Sequence, residues 1–368
     1  MVERISQATR YAMLVADMKT NMYNYNKLTA QLSSGKKITS ISDDPVNAVN
    51  VLNTNKQLGQ ISTFQTNIGV ASAELDALGQ VMEIATGYLS TAWDKAVQAN
   101  NQTYTGNSLK ALKTEIDEIA KTMVDLANTE YNDNYLFSGA RTKTLAYEID
   151  EETGNIIYQG TPASNPDYAR KTEVADGVFE TINTTGDKVF GWYIASPEET
   201  ADGKKVFTDK EGNKVIQTVD EQTGDKTYAY EDGTPYTGEV SDLSESMVED
   251  YSGVMGALRK LSNSIQKVLD GNTDEGYEEM NATLDMFKGS LDTITNEQTK
   301  FGGIANRLEM SDSALTTNNE NLTAYLTEIN EVDYAEAVTA WINAQYAYQA
   351  SLQVSAASMN LSLLNYIN

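Results

Sequence analysis

Apolar residues recur every seven positions along much of this 368-residue chain, and no other feature constrains its fold as strongly. Tyr11, Met18, Tyr25 and Leu32 form one series, with Leu14 and Leu28 in the intermediate seam. A second sets Ile61, Ile68, Leu75, Met82, Leu89 and Ala96 beside Phe64, Ala71, Leu78, Ala85, Ala92 and Ala99. A third pairs Leu109, Ile116 and Met123 with Leu112, Ile119 and Leu126. The last runs Met280, Phe287, Ile294, Phe301, Leu308, Leu315, Leu322 and Ile329. Seven-residue strides keep one apolar stripe on a helix facing a partner helix, so long helices in a coiled coil or bundle are expected. At about 1.5 Å per residue, a 50-residue helix would reach roughly 75 Å, which predicts a rod.

Proline marks where this pattern stops. Of five prolines, Pro162, Pro166, Pro197 and Pro235 fall within 146–243, and only Pro45 lies elsewhere. The flanks are therefore nearly free of helix breakers. Inside that stretch, YEIDEETGNIIYQG and VIQTVDEQTGDKTYAY place β-branched and aromatic residues on both sides of an acid-rich turn. Each reads as a hairpin. The same stretch holds 21 acids and 8 bases, half of the chain's net charge of −26. The expected fold is mainly α with an acidic, β-rich insert at 146–243.

Composition removes most chemistries. With no Cys and no His, the chain lacks a thiol nucleophile, the usual general base and the commonest metal ligands. No cofactor or metal is expected. The negative charge repels phosphates, so nucleic acid is excluded as a partner. No apolar run of about 18 residues exists for a membrane span. Residues 1–30 lack the uninterrupted apolar stretch of a cleavable signal, so if this protein leaves the cytoplasm it is expected to leave by another route.

One acidic pair invites a catalytic reading: Asp43 and Asp44 in Ser42-Asp43-Asp44-Pro45. The structural alternative is a helix start, with Pro45 at the first helical position and an Asp before it capping free N–H groups. Gly35 then suits the end of the preceding helix. No His, Cys or third acid clusters with the pair, which favours the cap. The acids at 150–152, 209–211 and 220–225 lack the spacing of a calcium loop and read as solvated turns. Ser33-Ser34-Gly35-Lys36-Lys37 lacks phosphate-loop spacing. Trp93, Trp192 and Trp341 read as packing residues.

Both chain ends carry apolar seams: Tyr11, Leu14, Met18, Tyr25, Leu28 and Leu32 at one, Val338, Trp341, Ile342, Tyr348, Leu352, Met359, Leu363 and Tyr366 at the other. Two helices alone have little core, so these seams predict assembly with other subunits.

Four tracts converge on a family. RISQATRYAML, SSGKKITSISDDP, NDNYLFSGART at 132–142 and the closing DYAEAVTAWINAQYAYQASLQVSAASMNLSLLNYI resemble the flagellin superfamily, across both helical blocks but not the insert. DDP and YLFSG resemble its hook–filament junction members more than filament flagellins. Ile41 departs from the Pro often found there. The resemblance implies three layers. A terminal coiled coil of 1–38 and 330–368 would face the central channel. A long-helix bundle of 39–145 and 244–329 would surround it, with 146–243 outermost. It further implies a non-enzymatic adaptor secreted through the flagellar type III export apparatus with a cytoplasmic chaperone. The adaptor would form a ring with neighbouring copies of itself between hook-associated protein 1 and flagellin. The alternatives are a flagellin that builds the filament itself and, from another class, an enzyme or glycan-binding module carried by the insert.

Overall fold

The computed structural model describes residues 7–104, 106–150, 153–211, 213–219 and 226–367, with side chains between 9 and 357. Three helices come first: α1 (Gln7–Ser34), α2 (Pro45–Ala99) and α3 (Asn107–Ala127). A strand-rich middle follows, and α5 (Gly253–Leu269), α6 (Thr273–Asn330) and α7 (Tyr334–Ile367) close the chain. The fold is thus mainly helical, with helices at both ends and small antiparallel sheets between. The backbone divides into two compact units, 1–66 with 311–368, and 67–310.

Within 67–310 the heptads form the core. Ile68, Ala71, Leu75, Leu78, Met82, Ala85, Leu89, Ala92, Ala96 and Ala99 of α2 are all buried. So are Met280, Phe287, Ile294, Phe301 and Leu308 of α6. The two segments run antiparallel: Gly79 lies across a shallow cleft from Gly302, and Asn100 Nδ2 donates to Asn281 Oδ1 at 2.5 Å. Helices α3 and α5 add buried Leu109, Leu112, Ile116, Met123, Leu258, Leu261 and Ile265, and Ser262 Oγ donates to Asp117 Oδ1 at 2.6 Å.

Along α6 the same register continues into the other unit, yet Leu315, Leu322 and Ile329 are only half-buried. There, residues 45–66 of α2 and 311–330 of α6 form one pair, tied where Gln65 Nε2 donates to Thr316 Oγ1 at 3.1 Å. A two-helix pair covers one face of each partner only.

The middle starts with hairpin β1 (Glu130–Tyr131) and β2 (Asn134–Tyr135). Asn132 and Asp133 hold φ of 50° and 58°, the left-handed pair a two-residue hairpin turn demands. Strands β3 (Tyr147–Ile149) and β4 (Ile156–Tyr158) form the next hairpin, and β5 (Lys171–Ala175) with β6 (Val178–Thr181) a third. After the short α4 (Gly186–Val189) comes β7 (Trp192–Pro197). Strands β8 (Val206–Thr208), β9 (Lys214–Val219), β10 (Lys226–Tyr230) and β11 (Ser244–Glu245) form a sheet ordered β10-β9-β8-β11. Finally β12 (Met247–Ser252) returns beside β7, completing the order β12-β7-β4-β3. Both hairpins expected from sequence are present; turn residues 151–152 and 220–225 lie outside the described residues. Strand pairing extends past residue 243, because β12 pairs with all of β7 from Ser252↔Trp192 to Met247↔Pro197.

Aromatic packing and two asparagines fasten these strands. Tyr147, Phe137 and Phe190 are buried, with Phe137 and Phe190 edge-on at 5.0 Å and Tyr147 Oη donating to the Gly191 carbonyl at 2.7 Å. Asn128, just past α3, accepts from Tyr147 N at 2.8 Å and donates to its carbonyl at 3.0 Å. Asn155 does the same for Ala195 at 2.7 and 3.1 Å. Each amide substitutes for a missing neighbouring strand.

Two outcomes follow. Phe287→Ala should lower unfolding stability by about 3–5 kcal/mol and half-exposed Leu315→Ala by much less, measured by denaturant titration of the helical signal. Replacing residues 199–245 with an Asn-Gly turn joins two strand ends already paired, so helical ellipticity and melting temperature should stay unchanged. A collapse of either would show that the β8–β11 sheet supports the helices.

Candidate assembly surface

Helices α1 and α7 pack along their lengths. Tyr25 lies between Trp341 and Tyr348, with ring centroids at 5.8 and 6.0 Å, and the Tyr348 ring is stacked on it. Trp341 Nε1 donates to Thr29 Oγ1 at 2.9 Å. Leu14, Met18, Leu28 and Leu32 are half-buried on α1. On α7 the residues removed from solvent include small ones: Ala337 is buried and Ala340, Ala344 and Ser351 are half-buried.

That choice of small residues decides where the large ones go. Val338, Ile342 and Leu352 are 42, 39 and 42 % exposed, and Tyr11 on α1 is 51 % exposed. Of the sequence-derived seams, then, Leu14, Met18, Tyr25, Leu28, Leu32, Trp341 and Tyr348 are partly covered within the chain, whereas Tyr11, Val338, Ile342 and Leu352 face solvent. The side chains of Met359, Leu363 and Tyr366 lie outside the described residues. Sequence reasoning missed Met13, Met22, Tyr23, Tyr346 and Val354, which are also exposed. A signal existed: between 334 and 367 the only charged residue is Glu336. A helix with one charge and bulky apolar groups facing water presents an apolar surface that a further partner could cover.

At the other end of α1 the candidate acids are spent on local structure. Asp44 Oδ1 accepts from Asn47 N at 3.1 Å and its Oδ2 from Asn47 Nδ2 at 2.7 Å, at the start of α2. The Asn47 backbone N–H foremost holds the Asp44 carboxyl below its ordinary range. Asp43 Oδ2 accepts from Thr39 N, Thr39 Oγ1 and Ser40 N at 3.2, 3.0 and 2.9 Å. Its Oδ1 meets Lys27 Nζ at 3.1 Å, and that ammonium is the main reason its carboxyl also titrates low. Gly35, at φ +70°, ends α1 by donating its N–H to the Gln31 carbonyl at 2.8 Å.

Of the candidate acids of the insert, Asp209 is likewise engaged. Asp209 Oδ1 accepts from Glu211 N and Asn213 N at 2.9 and 2.8 Å, and the Asn213 N–H is the leading cause of its lowered pKa. Among the described residues no three acids gather as a metal site. Two carboxylates on the long helices bind the insert instead. Glu74 pairs with Arg170, and buried Glu297 holds Lys188 Nζ at 2.6 Å and Thr184 Oγ1 at 3.2 Å.

Asp43 predicts a pH response. Its folded pKa lies below the ordinary value near 3.8, so its stabilisation is complete above that value. It is lost as pH falls through the lower folded value. Lys27→Met removes the chief cause and should raise the Asp43 midpoint in an NMR carboxyl titration; an unmoved midpoint would refute the ion pair.

Comparison with known proteins agrees with this architecture. The bacterial flagellin N-terminal helical region matches residues 5–142, and the bacterial flagellin C-terminal helical region matches 284–367. Polar flagellin A of Vibrio parahaemolyticus is 25% identical over 357 residues, covering 90% of this chain and 89% of that protein. Flagellar hook-associated protein 3 of Escherichia coli is 23% identical over 365 residues, covering 98% of each. The crystal structure of flagellar hook-associated protein 3 from Legionella pneumophila superposes with a TM-score of 0.55 at 18% identity. It covers 76% of this chain and 98% of that one. At such identity the structural likeness speaks for the fold alone.

Proposed function

The chain belongs to the bacterial flagellin family, and we propose that within it the chain is the structural adaptor between hook and filament. In this reading it binds hook-associated protein 1 below, flagellin above, and copies of itself around a ring at the hook–filament junction. The observation that carries the reading is correspondence with hook-associated protein 3 over 98% of both chains, the insert included. The exposed apolar groups of α1 and α7 supply the bonding surface. Residues 1–38 and 330–368 would line the channel, 39–145 and 244–329 would surround them, and 146–243 would face outward. The role is structural and not catalytic, and it calls for export of the chain, with a cytoplasmic chaperone covering α7 beforehand. Similarity to polar flagellin A favours one rival, a filament subunit.

Because an adaptor meets different partners above and below, it need not be complementary to itself along the axis. Purified protein added to hooks capped with hook-associated protein 1 should extend them by one limited layer that then accepts flagellin, as seen by electron microscopy. Long filaments of this protein alone would make it a flagellin. Leu352→Asp leaves the fold intact, since the residue is exposed in the subunit, but buries an unpaired charge on assembly at a cost of about 3–5 kcal/mol. Incorporation should be lost while the circular dichroism spectrum is kept.

A further inference from the structure

Residues 35–44 connect α1 to α2, and residues 331–333 connect α6 to α7. Far apart in sequence, these connectors are hydrogen-bonded to one another. Lys37 N donates to the Asn330 carbonyl at 2.6 Å, and Val332 N donates to the Gly35 carbonyl at 3.1 Å. These bonds flank an antiparallel bridge between Lys36 and Glu331. The geometry is that of a non-hydrogen-bonded pair, in which side chains approach most closely. The buried Asn330 side chain adds a bond through Oδ1 from Ile38 N at 3.2 Å. Gln31 Nε2 donates to the Lys37 carbonyl at 2.6 Å, and Lys37 Nζ to the Glu328 carbonyl at 3.3 Å. Lys27 and Asp43 then tie α1 to the far end of its own connector.

Apolar burial plays little part here. The nearest buried apolar side chains are Ala48 and Ala337. A cleft of about 220 Å³, lined by Leu28, Gln31, Lys37, Val332 and Ala337, lies beside the bonds. Polar ties with few apolar contacts and adjoining free space mark a place that opens as a unit. Helices α1 and α7 already hold each other through Tyr25, Trp341 and Tyr348. The cross-bonds tie the start of one connector to the end of α6, so the two connectors cannot move separately beneath that pair.

We propose that residues 35–44 and 331–333 act as one strapped joint. It is closed by the Lys36–Glu331 bridge, the Asn330 side chain and the Lys27–Asp43 tie, and it positions α1 and α7 together.

The absence of native cysteine makes a direct test available. A Lys36→Cys/Glu331→Cys chain carries one possible intramolecular disulfide, in a geometry that suits it. Flagella isolated from cells making this variant are oxidised mildly, and the 36–331 link is followed by peptide mapping. The readout is the same whether the chain sits at the junction or in the filament. Most of the protein should link. Adding Asn330→Ala should slow linking about tenfold, the effect of losing the bond that its side chain accepts from the half-buried Ile38 N–H. Asp43→Ala, whose partners are exposed, should slow it measurably but less. If a variant fails to reach flagella, the same rates are read on the purified chain. Absence of the link, or a rate that either substitution leaves unchanged, overturns the joint.

Discussion

The apolar seam between residues 68–99 of α2 and 280–308 of α6 is the interaction on which the rest of the 67–310 unit depends. It supplies a continuous buried stripe from which α3, α5 and the strands are hung. Burial of large side chains such as Leu78, Met82, Leu89 and Phe287 is worth about 1.5–3 kcal/mol each, so a run of them outweighs any single polar contact. The same heptad register continues to Ile329 without the same burial. Periodicity sets which face of a helix is apolar. The number of neighbouring helices sets how much of that face is hidden.

At the chain ends this difference becomes a property of the molecule. Helix α7 meets α1 with alanines, a serine and two aromatic rings, leaving Val338, Ile342, Tyr346, Leu352 and Val354 in water. An isolated subunit gains nothing from such an arrangement. A subunit in the proposed assembly would, because neighbours there would bury those groups. Asp43 and Asp44, which a search for chemistry would pick first, are occupied by backbone amides, Asn47 and Lys27.

The insert is attached by contacts of another kind. Asn128 and Asn155 each clasp one residue's backbone, replacing ladder bonds at points where a strand would otherwise be open. Glu297 and Glu74 carry carboxylates into buried positions on the long helices, where Lys188, Thr184 and Arg170 satisfy them. A buried carboxylate without its partner is strongly unfavourable, so these pairs fix where the insert sits more than they add net stability. The β8–β11 sheet needs neither device, since β7 and β12 already close on each other at Pro197 and Met247.

Sequence alone determined the helices, the two acid-turned hairpins, the cap before Pro45 and the absence of thiol or imidazole chemistry. Each of these is local: a seven-residue stride, a turn flanked by β-branched residues, an Asp before a Pro, a missing residue type. Family membership was legible for the same reason, through contiguous tracts such as NDNYLFSGART, whose Asn132 and Asp133 carry the turn's positive φ values. Tertiary structure decided the rest. Which seam residues stay exposed depends on which face of α7 packs against α1, a helix more than 300 positions away. The return of β12 beside β7 and the bonding of Lys37 to Asn330 join residues that no local pattern relates. Local rules cannot supply these, because the free energy of a long-range contact belongs to the pair and not to either segment.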